Sequence, residues 1–381
     1  MAMKKNHLLQ NPILRLIIIL ISTTAIVWAP FWFNSKMERV FANYDGPNYI
    51  VIAKCLYEKT CTGTSYSLPL PLEYYPAHFP GYPLVIKAIN IFLPGWWSML
   101  AATLVSTTAM TIIFYQLLKL LKVRNPAWLT TILLFFPARL LVLRSVGAPE
   151  TLFVFAVIFS ILMFKKEKYL LSGLGLAAAQ ITKSPAILLF VAYAVSITAQ
   201  NLPAIIKERK SRWRKIVSIF KKYWPIALGP LAVLPVFFFY QYQTGDFWAY
   251  FHSGDNFHLF FPPFQSFISS QSWLGDFWLE DIVYIYLVGG LAVLYLFKKY
   301  RWDIVSVFPT LFYLSTLMVA HRDISRYSVP LYPFWIIAFA GFLNKKEFKI
   351  IFFILLPAIY LYAINFISYN VAPIADWGPY L

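Results

Sequence analysis

What most constrains this chain is a succession of long, nearly uncharged apolar stretches, at 13–33, 97–118, 126–143, 149–164, 169–183, 185–203, 223–242, 282–297, 304–320, 329–343 and 350–368. A helix needs about 20 apolar residues to cross a bilayer, and these stretches approach that length one after another. Their apolar residues run continuously rather than in period two, which predicts helices and excludes a transmembrane β-barrel. With 60% hydrophobic and 13% charged residues in 381, the chain is too apolar for one water-soluble core. Soluble enzymes, secreted disulfide scaffolds and disordered tails are thereby excluded. The expected fold class is an all-α polytopic membrane protein of about 11 transmembrane helices, with 1–381 as a single integral membrane domain.

The formal net charge of +17 raises the possibility of a nucleic-acid partner, but its placement argues for topology instead. If the N-terminus is cytoplasmic, the clusters Lys4, Lys5 and Arg15; Lys119, Lys122 and Arg124; Lys165, Lys166 and Lys168; 207–222; Lys298, Lys299 and Arg301; and Lys345, Lys346 and Lys349 all fall on the inner side. They hold 23 of the 33 basic residues, against 4 of the 16 acidic ones, Glu167, Glu208, Asp303 and Glu347. No nucleic-acid partner is expected. Anionic membrane lipids could meet 207–222. The first helix has a basic start, yet bulky Val27-Trp28-Ala29-Pro30 ends it, so retention rather than signal-peptide cleavage is expected.

Two segments stand outside the spans. The first, 34–97, is a long extracytoplasmic loop with two apolar stretches too short to cross, 49–56 and 82–93, expected as interfacial helices; the second of these is opened by Pro80-Gly81-Tyr82-Pro83 and closed by Pro94-Gly95. The second segment, 244–280, is aromatic-rich and carries His252, Asp255 and His258. Its Phe257, Phe260, Phe261, Phe264 and Trp273 suit either a groove for a lipid tail or an interfacial aromatic belt. The two cysteines, Cys55 and Cys61, both fall in the first loop and could close a short ring there.

Just after the first helix stands Asn43-Tyr44-Asp45-Gly46-Pro47-Asn48-Tyr49. A carboxylate at the membrane face can take a proton from a substrate hydroxyl; equally, it can cap the helix that Pro47 starts. Glu150 divides likewise between satisfying helix-start N–H groups and binding substrate hydroxyls. Arg139 and Arg144 could pair with Glu150, and Arg322 and Arg326 with Asp323. Neither an Asp-x-Asp pair nor a His/Cys cluster of metal-ligand spacing occurs, and there is no Gly-x-Ser-x-Gly, Walker loop or Gly-x-Gly-x-x-Gly. Neither a metal nor any other cofactor is expected.

Four segments resemble, in order, elements of the GPI mannosyltransferase II family and its prokaryotic relatives in the glycosyltransferase C (GT-C) superfamily. They are Tyr44-Asp45-Gly46-Pro47-Asn48-Tyr49-Ile50-Val51-Ile52-Ala53, His78-Phe79-Pro80-Gly81-Tyr82-Pro83-Leu84, Ser145-Val146-Gly147-Ala148-Pro149-Glu150-Thr151-Leu152-Phe153 and Ser325-Arg326-Tyr327-Ser328-Val329-Pro330-Leu331-Tyr332-Pro333. The likeness covers about 13–345. It implies a GT-C fold and a polyprenyl-phosphate sugar donor, most readily mannose of the dolichyl phosphate mannose type. The acceptor could be a lipid, a glycan or a protein. The resemblance also implies inverting transfer on the extracytoplasmic face, with Asp45 as catalytic base.

A phosphate leaving group needs positive charge where its own charge develops. Arg326 in the matching motif leads the candidates, with Arg322, His321, Lys183 and Arg144 beside it; Lys183 could instead snorkel. Tyr44, Tyr49, His78, Tyr82, Glu150 and Tyr327 are the expected substrate-binding residues. His78 stands where relatives carry an aromatic residue, so packing against Tyr74 or Tyr75 competes with a sugar contact. The reading that competes with an enzyme is a lipid or solute transporter, or flippase. Compact loops suggest a prokaryotic plasma membrane.

Overall fold

The computed structural model describes residues 11–43, 45–66, 70–207, 212–254, 258–275, 279–374 and 378–380. Lys4, Lys5, Tyr44, Glu208, Asp255 and Phe257 lie outside these residues.

Helix α1 (Pro12–Phe33) begins where Asn11 accepts the Ile13 N–H at 2.9 Å and Pro12 fills the first helical position, whose N–H would go unused. Among the described residues, six helices are long and apolar enough to cross a membrane: Pro12–Phe33, Trp96–Leu120, Ser184–Lys207, Arg212–Thr244, Glu280–Tyr300 and Lys346–Tyr369. The other expected spans are shorter or broken. That at 126–143 divides into α5 (Pro126–Phe135) and α6 (Ala138–Leu143) at Pro137, which has no N–H to give and crowds the residue before it. That at 329–343 is a chain of short pieces threaded with Pro330 and Pro333.

The two short apolar stretches of the first loop fold as α2 (Gly46–Cys55) and α3 (Gly81–Ile89), and Cys55 and Cys61 are joined as a disulfide. Both helices pack on α4 (Trp96–Leu120). Next come α7 (Glu150–Lys165) and α8 (Tyr169–Thr182), which make the most extensive helix contact. Small residues permit it, as bilayer-embedded helices without a hydrophobic drive between them require. At Gly175 of α8, Phe159 Cδ1 and Ser160 N of α7 lie 2.8 Å and 3.1 Å from where a Cβ would stand. Buried hydroxyls stitch the same region, Ser160 Oγ donating to the Ser172 carbonyl and meeting Tyr193 OH, both at 2.8 Å.

Two backbone pairings bring distant segments to one end of the bundle. Leu259 bridges antiparallel to Val319, with the Ala320 N–H donating to the His258 carbonyl at 2.6 Å. Asn43 bridges to Val371, and the Ala372 N–H donates to the Ala42 carbonyl at 2.7 Å. The second pairing fastens the segment that follows the last long helix (Lys346–Tyr369) against the turn that precedes Asp45.

Candidate active site

Asp45 sits at the N-cap position of α2, but its side chain makes no capping hydrogen bond. It accepts instead from Arg326 Nη2 at 2.6 Å. Arg326 comes from the one-turn helix Ile324–Tyr327, which Asp323 caps by accepting the Arg326 N–H. The Nε–H of the same guanidinium donates to Glu150 Oε1 at 2.9 Å, and Lys183 Nζ donates to that oxygen at 2.8 Å. Glu150 is 3% exposed, and its second oxygen has no hydrogen-bond partner among the described residues. One buried carboxylate therefore anchors two cations, and one of those cations also holds Asp45. Burial works against the Arg326 charge, but Glu150 and Asp45 outweigh it and hold the guanidinium well above the ordinary arginine range.

These groups line a cavity of about 890 Å³. Its wall includes Asp45, Tyr49, His78, Glu150, Lys183, His321, Arg322, Arg326 and Tyr327, so nine of the candidates named from sequence converge on one space. Arg322 is exposed there. His78 meets Tyr49 and Tyr74 edge-on, at 5.0 Å and 5.3 Å between centroids, and burial pushes its pKa down. Packing and cavity lining thus coexist in one residue.

His321 stands 5.3 Å from His258 and 5.1 Å from Tyr327 between ring centroids. Burial, reinforced by His258, lowers its pKa to about 4, so near neutral pH His321 is uncharged and, against expectation, supplies no cation for a phosphate. Its Nδ1 accepts the Asp323 N–H at 2.8 Å, which leaves the ring proton of the neutral form on Nε2.

Several expectations are corrected. Arg144 is not at the cavity: it is 1% exposed, donating to the Leu134 carbonyl and to Thr23 and Thr24 hydroxyls at 2.8–2.9 Å, and so ties α6 to α1. Tyr82 is fully buried beneath Tyr49, its hydroxyl 2.6 Å from Thr103 Oγ1 and donating to the Met99 carbonyl, so it supports the wall rather than forming it. Arg139 pairs with Asp323, not Glu150, while the Phe366 ring covers its guanidinium at 3.8 Å. His252 pairs with Asp246 at 2.7 Å. Of the two alternatives for Phe260, Phe261 and Phe264, their exposure away from the cavity wall agrees with an aromatic belt.

Sequence reading missed Tyr250, whose hydroxyl donates to Ser184 Oγ at 2.7 Å, and Asp281, both on the cavity wall. Asp281 sits in the first turn of Glu280–Tyr300, where acids are ordinary, so no local signal marked it. Among the described residues no group of three or more His, Cys, Asp or Glu could hold a metal ion.

The bundle, with six membrane-length helices among the described residues, is that of an all-α polytopic membrane protein, and its fold is shared with solved structures of ArnT. ArnT from Cupriavidus metallidurans bound to undecaprenyl phosphate superposes with TM-score 0.53 at 12% identity, over 86% of this chain and 60% of that one. The same protein in the apo state gives 0.53, 12%, 86% and 59%. The chain thus spans about three fifths of the length of these solved structures, and at this identity the likeness is one of fold. No protein-family model and no curated protein matches the sequence.

Proposed function

We propose that the chain is an inverting, metal-independent glycosyltransferase that moves a sugar from a polyprenyl phosphate to an acceptor hydroxyl, with Asp45 as base. The observation that carries this reading is the guanidinium of Arg326 spanning Asp45 and Glu150 on a cavity wall. It sets a proton acceptor and an anion receptor side by side, which displacement of a phosphate by a hydroxyl requires. The undecaprenyl phosphate bound to the solved ArnT supports carrying a polyprenyl phosphate over as donor class. The motif likeness to GPI mannosyltransferase II supports mannose. By the distribution of basic residues the enzyme has a cytoplasmic N-terminus and an extracytoplasmic cavity, in a prokaryotic plasma membrane, with 34–97 and 244–280 as its extracytoplasmic loops and 1–381 as one membrane domain.

In this mechanism the donor phosphate approaches Arg326, Lys183 and Arg322. Phosphate competes with Asp45 for the guanidinium, since Arg matches phosphate in bidentate geometry. Asp45 is freed as the donor seats. The acceptor O–H gives its proton to Asp45, its oxygen bonds to the anomeric carbon from the opposite face, and the C–O bond to phosphate breaks with its electron pair on the phosphate oxygen. Lys183 and Arg326, held by Glu150, neutralise that charge. Neutral His321 and His78 present ring edges to sugar hydroxyls, with Tyr49 and Tyr327 forming apolar faces. Tyr44, preceding the base, belongs to the same proposed substrate contact.

The experiment is transfer of label from radiolabelled polyprenyl-phosphate mannose to a lipid extract by protein in nanodiscs, with EDTA present and Asp45→Asn in parallel. Transfer by the wild type alone supports the class, the base and independence from metal. Equal transfer by both removes Asp45 as base, and absence of donor binding moves the assignment to another sugar or to a transporter.

A further inference from the structure

A second cavity, of about 320 Å³, lies between α2 and α3 and shares no lining residue with the first. Ile50 and Ile86 form apolar wall, and Lys54, Lys87, Asn90 and Ser98 supply the polar groups. Lys87 Nζ donates to the Ala53 carbonyl at 3.3 Å across the two helices. Asn90 accepts the Gly95 N–H at 3.1 Å through Oδ1, so its amide NH2 is left to donate. Ser98 stands in the first turn of α4, a 25-residue helix with no side-chain N-cap, whose positive dipole end adds to the two lysines. Among the described residues no acidic side chain lines the space.

Immediately beyond Asn90, Ile91 and Phe92 are 77% and 87% exposed, and Leu93 and Leu84 are exposed on the same stretch. Consecutive bare apolar side chains of this size mark a surface that water does not cover. Placing this finger among acyl chains would put Lys54 and Lys87 at the depth of headgroups.

We propose that this cavity binds the phosphate of an anionic phospholipid from the leaflet on the cavity side. A free phosphate would use the two lysines but leave the apolar finger without a role. The lipid would steady the far end of α2, the helix that Asp45 precedes at the N-cap position.

The test is native mass spectrometry of the full chain in mild detergent, titrated with phosphatidylglycerol or phosphatidylcholine, with thermal unfolding confirming that each variant is folded. Each lysine charge near a lipid surface is worth about a fivefold change in affinity. Lys87→Gln should therefore weaken phosphatidylglycerol binding about fivefold and Lys54→Gln/Lys87→Gln roughly thirtyfold, whereas Lys298→Gln/Lys299→Gln should leave it unchanged. Wild type should prefer phosphatidylglycerol to phosphatidylcholine, and millimolar inorganic phosphate should not displace it. Unchanged binding in Lys54→Gln/Lys87→Gln, equal loss in the control pair, or no lipid preference would overturn the proposal. Displacement by inorganic phosphate would reassign the cavity to soluble anions and overturn the lipid assignment.

Discussion

Arg326 and Asp45, 281 positions apart in sequence, meet at 2.6 Å between Nη2 and Oδ2 on the wall of the larger cavity. In the proposed mechanism a phosphate competes with Asp45 for Nη2 of this guanidinium, so that anion binding and the availability of Asp45 would be coupled. Glu150 keeps Arg326 in place during the exchange, since its hydrogen bond is to Nε rather than Nη2.

Replacing Asp45 with Asn preserves size and should leave polyprenyl-phosphate binding within about twofold. Transfer should fall by about 10²- to 10⁴-fold, the usual contribution of a positioned base. Single-turnover transfer and donor binding measured on one preparation separate the two effects.

Arg326→Ala should weaken donor binding by roughly 10- to 100-fold, the range for one charge-assisted hydrogen bond, and Arg326→Lys should recover part of it. The alanine variant also leaves Glu150 with Lys183 alone, so its unfolding temperature should drop. A donor affinity equal to wild type in a folded Arg326→Ala protein would assign the phosphate to other cations.

His321 holds its proton less tightly in the folded protein, at about 4 against an ordinary 6.5. Between those values the unfolded chain is the more protonated, so this residue's stabilisation is complete above about pH 6.5 and is lost as pH falls toward 4. The groups facing it are His258, Asp323, Arg322 and Arg326. Thermal unfolding in nanodiscs from pH 4 to 7 should show a shallower pH dependence in His321→Gln, by close to one proton.

Gly81 begins α3 against the end of α8. A Cβ there would stand 2.5 Å from Thr182 Oγ1 and 2.8 Å from the Ile181 carbonyl oxygen, and backbone cannot yield cheaply. Gly81→Ala should destabilise by about 1–3 kcal/mol and reduce donor affinity by moving Lys183, the next residue. At Gly341 nothing lies within 4 Å of such a Cβ, so Gly341→Ala should be near silent in the same unfolding and binding assays.

Cys55 and Cys61 should resist maleimide until a reductant is added, since the bond between them leaves no thiol. Mass spectrometry before and after reduction reads this directly. Labelling without reductant would show the bond to be open.

Hydropathy and charge determined by themselves that this is an all-α membrane protein, because burying twenty apolar residues in lipid dominates any local preference. The motifs likewise marked Asp45, Glu150 and Arg326 individually, and the need for positive charge beside a phosphate marked Lys183 as a candidate. Their partners were beyond reach of sequence: Glu150 pairs with Lys183 and Arg326, not with Arg139 or Arg144, and Asp323 takes Arg139. Ion pairing depends on which side chains arrive within a few ångströms, and helices 33 and 176 residues apart in sequence deliver them. Arg144 and Tyr82 read as site residues because a buried polar group satisfied by neighbouring hydroxyls and carbonyls looks, in sequence, the same as one facing substrate. Only packing separated them, since a cavity wall is a property of several helices at once and no single segment encodes it.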